Sequence, residues 1–375
     1  MLYFSISAAL ILYIIVGYPC LLHVLARVYS KPFLREDWLF GVSIVIPVHN
    51  GARFLRHKLE SVLQLNYPAD LLEILIVSDG STDETNNIAR EFSHRGVQLL
   101  SVPRLGKAAA LNAAIPHLRG EILVLTDVRQ ELDPDSVKLL VAPFADPSVG
   151  VVSGELILRE GMTRGEADIG FYWKYESWIR RNLSRLDSTM GATGPFYAIR
   201  RRLFHPIPED ILLDDVYLPM KAFFAHYRLV LEPKAIAYDY PMTREREFKR
   251  KVRTLGGNYQ LLIRMPALLG WRNRLLWHFI SYKVGRLCLP WLTLALLIAG
   301  LRLTHPWNLL VAGSAAAFGG LAAIDRGISQ SSLLKRVSSP ARTFVILMLA
   351  TVEGLKVLFV PPRSVWKVTD IASDT

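Results

Sequence analysis

Cysteine is almost absent from this sequence, with two residues in 375, Cys20 and Cys288. Both fall in apolar runs, which excludes a disulfide framework and a zinc site built on thiolates. Charged side chains are absent from residues 1–26, and the first cation is Arg27, followed by Lys31 and Arg35. A run of that length crosses a bilayer, which needs ~20 apolar residues. A cleaved leader would carry basic residues before its apolar core and a small-residue cleavage site after it; neither occurs here. The expectation is a permanent anchor over residues 1–28, with its amino terminus outside and Arg27 onward in the cytoplasm. Phosphate-binding glycine runs are missing too. Neither G-x-G-x-x-G nor a Walker A run follows the first strand-like segment, which counts against a dinucleotide dehydrogenase and a P-loop nucleotidase.

What is present fits two environments. A hydrophobic fraction of 51% and a mean hydropathy of +0.26 are high for a soluble enzyme and low for a wholly embedded protein. A soluble domain joined to membrane helices satisfies both. From Gly41 to about Gly150 the pattern alternates strand and helix. The strand-like runs are Ser43–Val48, Leu72–Val77, Val97–Val102 and Ile122–Thr126, with helical periodicity over Phe54–Leu65 and Thr85–Phe92. Alternation of this kind predicts a parallel sheet with right-handed crossovers and a crevice at the strand ends.

The fourth run is the most informative. Glu121-Ile-Leu-Val-Leu-Thr126 is apolar and stops at Asp127, so a buried strand delivers one carboxylate to the sheet's carboxyl edge, where ligands bind in open α/β folds. Taken alone, Asp127 fits a turn or the cap of a helix after Pro134 equally well. The other strands run into Pro47-Val-His-Asn50, Ser78-Asp-Gly-Ser-Thr-Asp83 and Arg104-Leu-Gly-Lys-Ala108, all on the same edge if the strands are parallel. Asp79 suits a base or ribose hydroxyl, and Lys107 suits a phosphate or a solvated helix turn.

Leu213-Asp-Asp215 precedes a helical run, where an aspartate serves either as a cap or as a base. Two adjacent acids repel, which raises one pKa toward a working range. Together the motifs Ile46-Pro-Val-His-Asn50, Asp79-Gly-Ser-Thr-Asp83, Gly106-Lys107, Thr126-Asp127, Gly191–Arg200, Leu213-Asp-Asp215 and Arg250-Lys-Val-Arg253 resemble, in order, the membrane-bound glycosyltransferases of family 2, relatives of cellulose, hyaluronan and poly-N-acetylglucosamine synthases. The resemblance covers Ser43 to about Gln260 and the flanking membrane helices.

That resemblance implies a Rossmann-like, nucleotide-sugar-binding domain of GT-A type inserted between transmembrane helices. It places Pro47, His49 and Asp79 along the nucleoside, Lys107 near the diphosphate, and Asp127 on a divalent cation, Mg²⁺ or Mn²⁺. A hard cation there offsets the charge that develops on the departing diphosphate. The resemblance also makes Asp215 the expected base for the acceptor hydroxyl, with Asp214 positioning or tuning it, and places Arg253 at the diphosphate.

The sequence departs from the family twice. The family's Asp-x-Asp is Asp127-Val-Arg129 here, which removes one carboxylate and adds a planar cation able to grip phosphate. Either Asp127 holds the cation with more water and substrate oxygens, which is the preferred expectation, or Arg129 partly replaces it; a solvent-facing Arg129 is the third case. In the Gln-x-x-Arg-Trp motif Arg253 keeps the arginine, but the leading Gln and following Trp are missing. That loss favours single addition to a lipid carrier over polymerisation.

Basic charge concentrates late in the chain. Arg244–Arg274 holds nine cations against two glutamates, while Phe248, Val252, Leu255, Tyr259 and Leu262 recur at 4, 3, 4, 3 spacing. This is a basic amphipathic helix suited to an anionic leaflet; no nucleic-acid motif accompanies it. Uncharged runs at Leu287–Leu301 and Trp307–Ile324, and an interrupted one at Thr343–Val360, predict about three C-terminal membrane helices.

The expected organisation is an anchor over 1–28, a cytoplasmic catalytic domain over 40–242, the basic interfacial helix over 243–275, membrane helices over 284–360 and a tail over 361–375. The expected function is inverting transfer of a sugar, from a UDP-sugar in particular, to a polysaccharide or lipid-linked acceptor. The alternatives are single addition and a catalytically degenerate subunit. Expected partners are the donor, the acceptor, membrane lipids and subunits of an export complex.

Overall fold

A computed structural model describes residues 1–36, 38–159, 166–240, 244–329 and 332–361; the expected tail lies, after Pro361, outside the described residues. They divide into two compact units. One is α/β, from residues 29–159 and 180–240. The other is helical, from residues 1–28, 166–179 and 244–361.

The α/β unit is built on β1 (Val42–Val48), β2 (Leu72–Asp79), β3 (Val97–Val102), β4 (Ile122–Thr126), β5 (Glu131–Leu132), β6 (Val149–Leu158), β7 (Phe196–Arg200) and β8 (Arg228–Asp239). They form one sheet in the order β3-β2-β1-β4-β7-β6-β8-β5. The first four strands pair in parallel as their apolar runs predict, with Val45 opposite Leu75 on one side and Leu125 on the other. Both faces of β1 and β4 are buried, which is why those strands are continuous apolar runs rather than alternating ones. Chain order reverses direction between β1 and β4, and a crevice opens at such a switch point at the strands' carboxyl ends.

The second half of the sheet is mixed. β7 runs antiparallel to both β4 and β6, whereas β8 is parallel to β6 and antiparallel to β5. β8 has no counterpart among the strands expected from sequence because Pro233 and Lys234 interrupt it, and proline argues against a central strand. The structure accommodates them at a register shift. Ser153 pairs with Leu231 and Glu155 with Ile236, so residues 232–235 bulge where β6 offers only Gly154.

Helix Ala52–Leu63 follows β1 and buries Leu55, Leu59 and Val62. Truncating one of these leucines to alanine would cost roughly 2–5 kcal/mol. Lys58 lies on the same buried stripe and is 1% exposed.

In the helical unit, three helices among the described residues are long and apolar enough to cross a membrane: Leu2–Val28, Leu276–Leu301 and Trp307–Ile324. The second begins eleven residues before the expected run at Leu287, because Arg286 does not end it. The guanidinium pairs with Glu176 of helix Glu166–Leu186 and stacks over Tyr282 at 4.4 Å, which compensates a charge in an apolar helix. The last helix runs Lys335–Gly354, earlier than the expected Thr343–Val360 run. It is not among the three, since Lys335, Arg336 and Arg342 lie within it.

The basic helix Arg244–Arg264 does not bury its apolar stripe as a block. Val252 is buried, but so are Glu247, Gln260 and Leu261. The cause is a close helix crossing: a Cβ on Gly256 would lie 3.1 Å from the Gly354 carbonyl oxygen, so two glycines set which side of the helix is covered. Arg253 sits half-buried on this helix, within the helical unit.

Candidate active site

The loops after β1 and β2 are laced together. Asn50 Oδ1 accepts from the Thr82 N–H at 2.8 Å, and Ser81 Oγ accepts from the Asn50 N–H at 3.1 Å. His49 Nδ1 is 2.8 Å from the Asp79 carbonyl oxygen, and Pro47 pairs with Val77 at the strand ends. These three sequence-expected residues therefore lie together at the carboxyl edge.

The Asp79 carboxylate itself is turned into the loop after β3. It accepts from the Leu105 N–H at 2.8 Å and the Gly106 N–H at 3.0 Å, and it pairs with Arg104. Its side chain is almost fully buried, so its acceptor positions are engaged by protein donors rather than open to a ribose or base. Gly80 permits this arrangement. Its φ is +64°, and a Cβ there would meet Arg104 Cβ at 2.7 Å, so only glycine fits both the backbone and the space.

β4 ends as expected, with Asp127 at the edge and its N–H bonded to the Pro195 carbonyl at 3.3 Å. Beneath the turn lies a residue that sequence reasoning missed. Lys58 Nζ donates to Thr126 Oγ1 and to the Gln130 carbonyl, each at 2.8 Å, and so clamps both ends of the Asp127-Val128-Arg129 turn. Burial pushes the Lys58 pKa down to about 7, against the pull of Asp127 and Glu131. The signal was available, since Lys58 falls between Leu55 and Leu59 on the buried face of an amphipathic helix.

Arg129 neither points into solvent nor joins Asp127. Its guanidinium pairs at 2.5 Å with Asp239, which is buried at the end of β8. Asp239 also went unseen, because the strand that presents it did.

The acid pair enters from helix Asp214–Phe224, which packs against β6 and β8. The N-cap is Leu213, and no side chain caps the helix. Asp214 and Asp215 lie in the first turn, where the helix dipole favours carboxylates, so neither is an N-cap. Asp215 folds back over β7's leading loop: a Cβ on Gly194 would lie 2.6 Å from Asp215 Oδ2.

Lys107, the first residue of helix Lys107–Ala114, joins the two sides. Its Nζ is 2.9 Å from Asp127 Oδ1 and 3.3 Å from Asp214 Oδ2. Burial by itself lowers the Lys107 pKa, but Asp127, Asp214 and Asp215 outweigh it and hold it above the ordinary lysine value. This ammonium stays charged across the physiological range.

Tyr197 of β7 completes the cluster. Opposite Leu125 in register, it lies on the face of the sheet that Asp127 shares. Its hydroxyl is buried and has no hydrogen-bond partner among the described residues. Burial, then Asp214, Asp215 and Asp127, hold its pKa well above the usual tyrosine value.

The site thus gathers Asp127, Lys107, Asp214 and Asp215, with Pro47, His49 and Asp79 on the neighbouring loops; Arg129 is engaged elsewhere and Arg253 belongs to the helical unit. Among the described residues no group of three His, Cys, Asp or Glu side chains is arranged to hold a metal. A closed protein cage is therefore not what this edge offers. It offers one hard oxygen donor, the Asp127 carboxylate, about a third exposed, which fits a cation whose other ligands are waters and substrate oxygens.

Lys58 makes a pH test of the clamp. The unfolded chain keeps this lysine charged up to about 10.5 and the folded one only to about 7. Between these values the unfolded state binds more protons, so stability rises with pH by up to about 1.4 kcal/mol per unit. The cost of the buried charge is fully present below pH 7. Thermal melts in detergent at pH 6.5–9.5 should show the wild type gaining on Lys58→Met as pH rises, and a constant difference would contradict the buried, shifted amine.

Residues 43–207 match the family described as Glycosyl transferase family 2. The poly-beta-1,6-N-acetyl-D-glucosamine synthase of Staphylococcus epidermidis is 27% identical over 251 residues, covering 63% of this chain and 60% of that protein. The probable glycosyltransferase YdaM of Bacillus subtilis is 26% identical over 257 residues, again covering 63% and 60%. The chain therefore spans about three-fifths of the length of these relatives. Among solved structures, the mannosyltransferase PcManGT of Pyrobaculum calidifontis, in complex with GDP-Man and Mn²⁺, superposes with a TM-score of 0.74 at 24% identity, over 95% of this chain and 99% of that one. Sheet order and these likenesses agree: the α/β unit has a GT-A-like fold and carries a glycosyltransferase family 2 domain over residues 43–207.

Proposed function

We propose that this protein transfers a sugar with inversion from a nucleoside-diphosphate sugar to a hydroxyl of a polysaccharide or lipid-linked acceptor at the cytoplasmic face of a membrane. The observation that carries the reading is the ammonium of Lys107 between Asp127 and Asp214, the neighbour in sequence of Asp215. An edge that holds a cation between carboxylates is prepared for a diphosphate with its counter-cation on one side and a base on the other.

In this reading Asp127 and the donor's phosphate oxygens hold Mg²⁺ or Mn²⁺, which supplies charge stabilisation to the leaving diphosphate. Lys107 turns from the carboxylates to the diphosphate. The acceptor oxygen attacks the anomeric carbon as the bond to the diphosphate breaks, the electron pair leaves with the phosphate, and the hydroxyl proton passes to Asp215. Asp214, the preceding residue on the same helix turn, positions Asp215.

Support for a cation on Asp127 rather than phosphate gripped by Arg129 comes from Asp239, which already balances the guanidinium. The structural neighbour solved with GDP-Man and Mn²⁺ and the relatives named as polysaccharide synthases support the substrate class. They leave UDP- and GDP-sugars both to be assayed, and the further roles proposed for Arg253 at the diphosphate and for export-complex subunits as partners rest on the family resemblance.

Four outcomes are expected. Purified membranes given labelled UDP- and GDP-sugars should transfer one of them into lipid-linked or polymeric product. Asp215→Asn should then cut turnover by roughly 10²- to 10⁴-fold with donor binding kept; wild-type rates in that variant would remove Asp215 as the base. Chelation and Asp127→Asn should each weaken donor binding in titration calorimetry, whereas binding indifferent to chelator would hand the role to protein cations. Finally, with Cys20 and Cys288 replaced by serine, a Ser93→Cys variant should be labelled by a membrane-impermeant maleimide only after permeabilisation. Labelling in intact cells would reverse the orientation.

A further inference from the structure

Among the described residues, two buried polar atoms in the cluster lack hydrogen bonds, and they are complementary. Tyr197 Oη is a donor with no partner among the described residues, and Asp214 Oδ2 is an acceptor with none, although Lys107 Nζ stands 3.3 Å from it. Leaving either atom unsatisfied is costly, the more so for a charged acceptor. Tyr197 is fully buried on β7, on the sheet face that Asp127 shares. Asp214, Asp215 and Asp127 are among the charged groups near it, with Lys107 between Asp127 and Asp214. Loss of the phenol oxygen alone would leave the packing of the ring unchanged.

We propose that Tyr197 is a positioning residue: its hydroxyl donates to the Asp214 carboxylate when Lys107 leaves that carboxylate for the diphosphate of a bound donor. The proposal rests on the transferase reading above. In the ligand-free protein Lys107 balances both Asp127 and Asp214. A diphosphate carries more charge than one carboxylate and competes for the ammonium. Asp214 is then left beside Asp215 with its cation gone, and two adjacent acids so placed tend to share a proton. A phenol donor on Asp214 keeps that residue ionised, so that the single proton of the reaction goes to Asp215. Phenylalanine fills the same volume and cannot donate.

The test compares wild type with Tyr197→Phe in the full chain. Ligand-free melting temperatures should be equal or higher in the variant, since an unpartnered hydroxyl is removed. A drop of several degrees would mean that the hydroxyl is already bonded and would overturn the proposal. Calorimetry of UDP and of GDP with Mn²⁺, in buffers of different ionisation enthalpy at pH 6–7, should show the variant taking up a proton on binding that the wild type does not. Equal proton uptake would overturn the role of Tyr197 while leaving the transferase reading intact. Failure of wild type to bind either nucleotide would sink that reading and, with it, the trigger for the switch. With the active donor, kcat of Tyr197→Phe should fall by about tenfold or more, with donor KM little changed and the acidic limb of the kcat profile moved to higher pH. A superimposable profile with unchanged kcat counts against the proposal.

Discussion

Charge balance at one edge of the sheet organises this molecule. Strand β4 brings a carboxylate out of an apolar core at Asp127, helix Asp214–Phe224 brings two more, and one ammonium from Lys107 stands between the two sides. Asp127, Asp214 and Asp215 surround Lys107 in one half-buried crevice, and their attraction outweighs the cost of burying its charge.

The scaffold around the cluster uses basic side chains that are already committed. Lys58 holds the β4 turn from below through Thr126 and Gln130, and Arg129 is tied to Asp239. The departure from the family's acidic pair is thus compensated within the fold: where an aspartate is usual, an arginine appears together with a buried aspartate from another strand. Changing Arg129 alone to aspartate would leave Asp239 buried without its cation, a situation that costs roughly 3–5 kcal/mol. Restoring the commoner pattern therefore requires changes at both positions. The helical unit follows the same rule, since Arg286 lies within an apolar helix while Glu176 and Tyr282 receive it.

Much of the site is legible in the sequence because strand and loop grammar is local. Apolar runs that end in Asp79 and Asp127, and an acid pair at the head of a helix, mark the carboxyl edge through residue order alone. The residues that escape such reasoning are those whose role depends on a neighbour distant in sequence. Asp79 is placed by its motif to meet a nucleoside, yet the loop 25 residues later takes its oxygens. Lys58 has the local pattern of a helix cation and gains its role only from the turn it clamps, while Asp239 is hidden with a strand that a proline disguises.

By itself the sequence determined the parallel half of the sheet, the membrane-length apolar helices and the position of Asp127 at a strand end, since period and composition follow from backbone geometry and burial. Only the tertiary structure decided which charges meet. Lys107 reaches Asp127 across 20 residues and Asp214 across 107, while Arg129 reaches Asp239 across 110. Pairing energy falls with distance in space and is indifferent to distance along the chain. Chain folding alone brings those groups within hydrogen-bond range, so no local pattern records it.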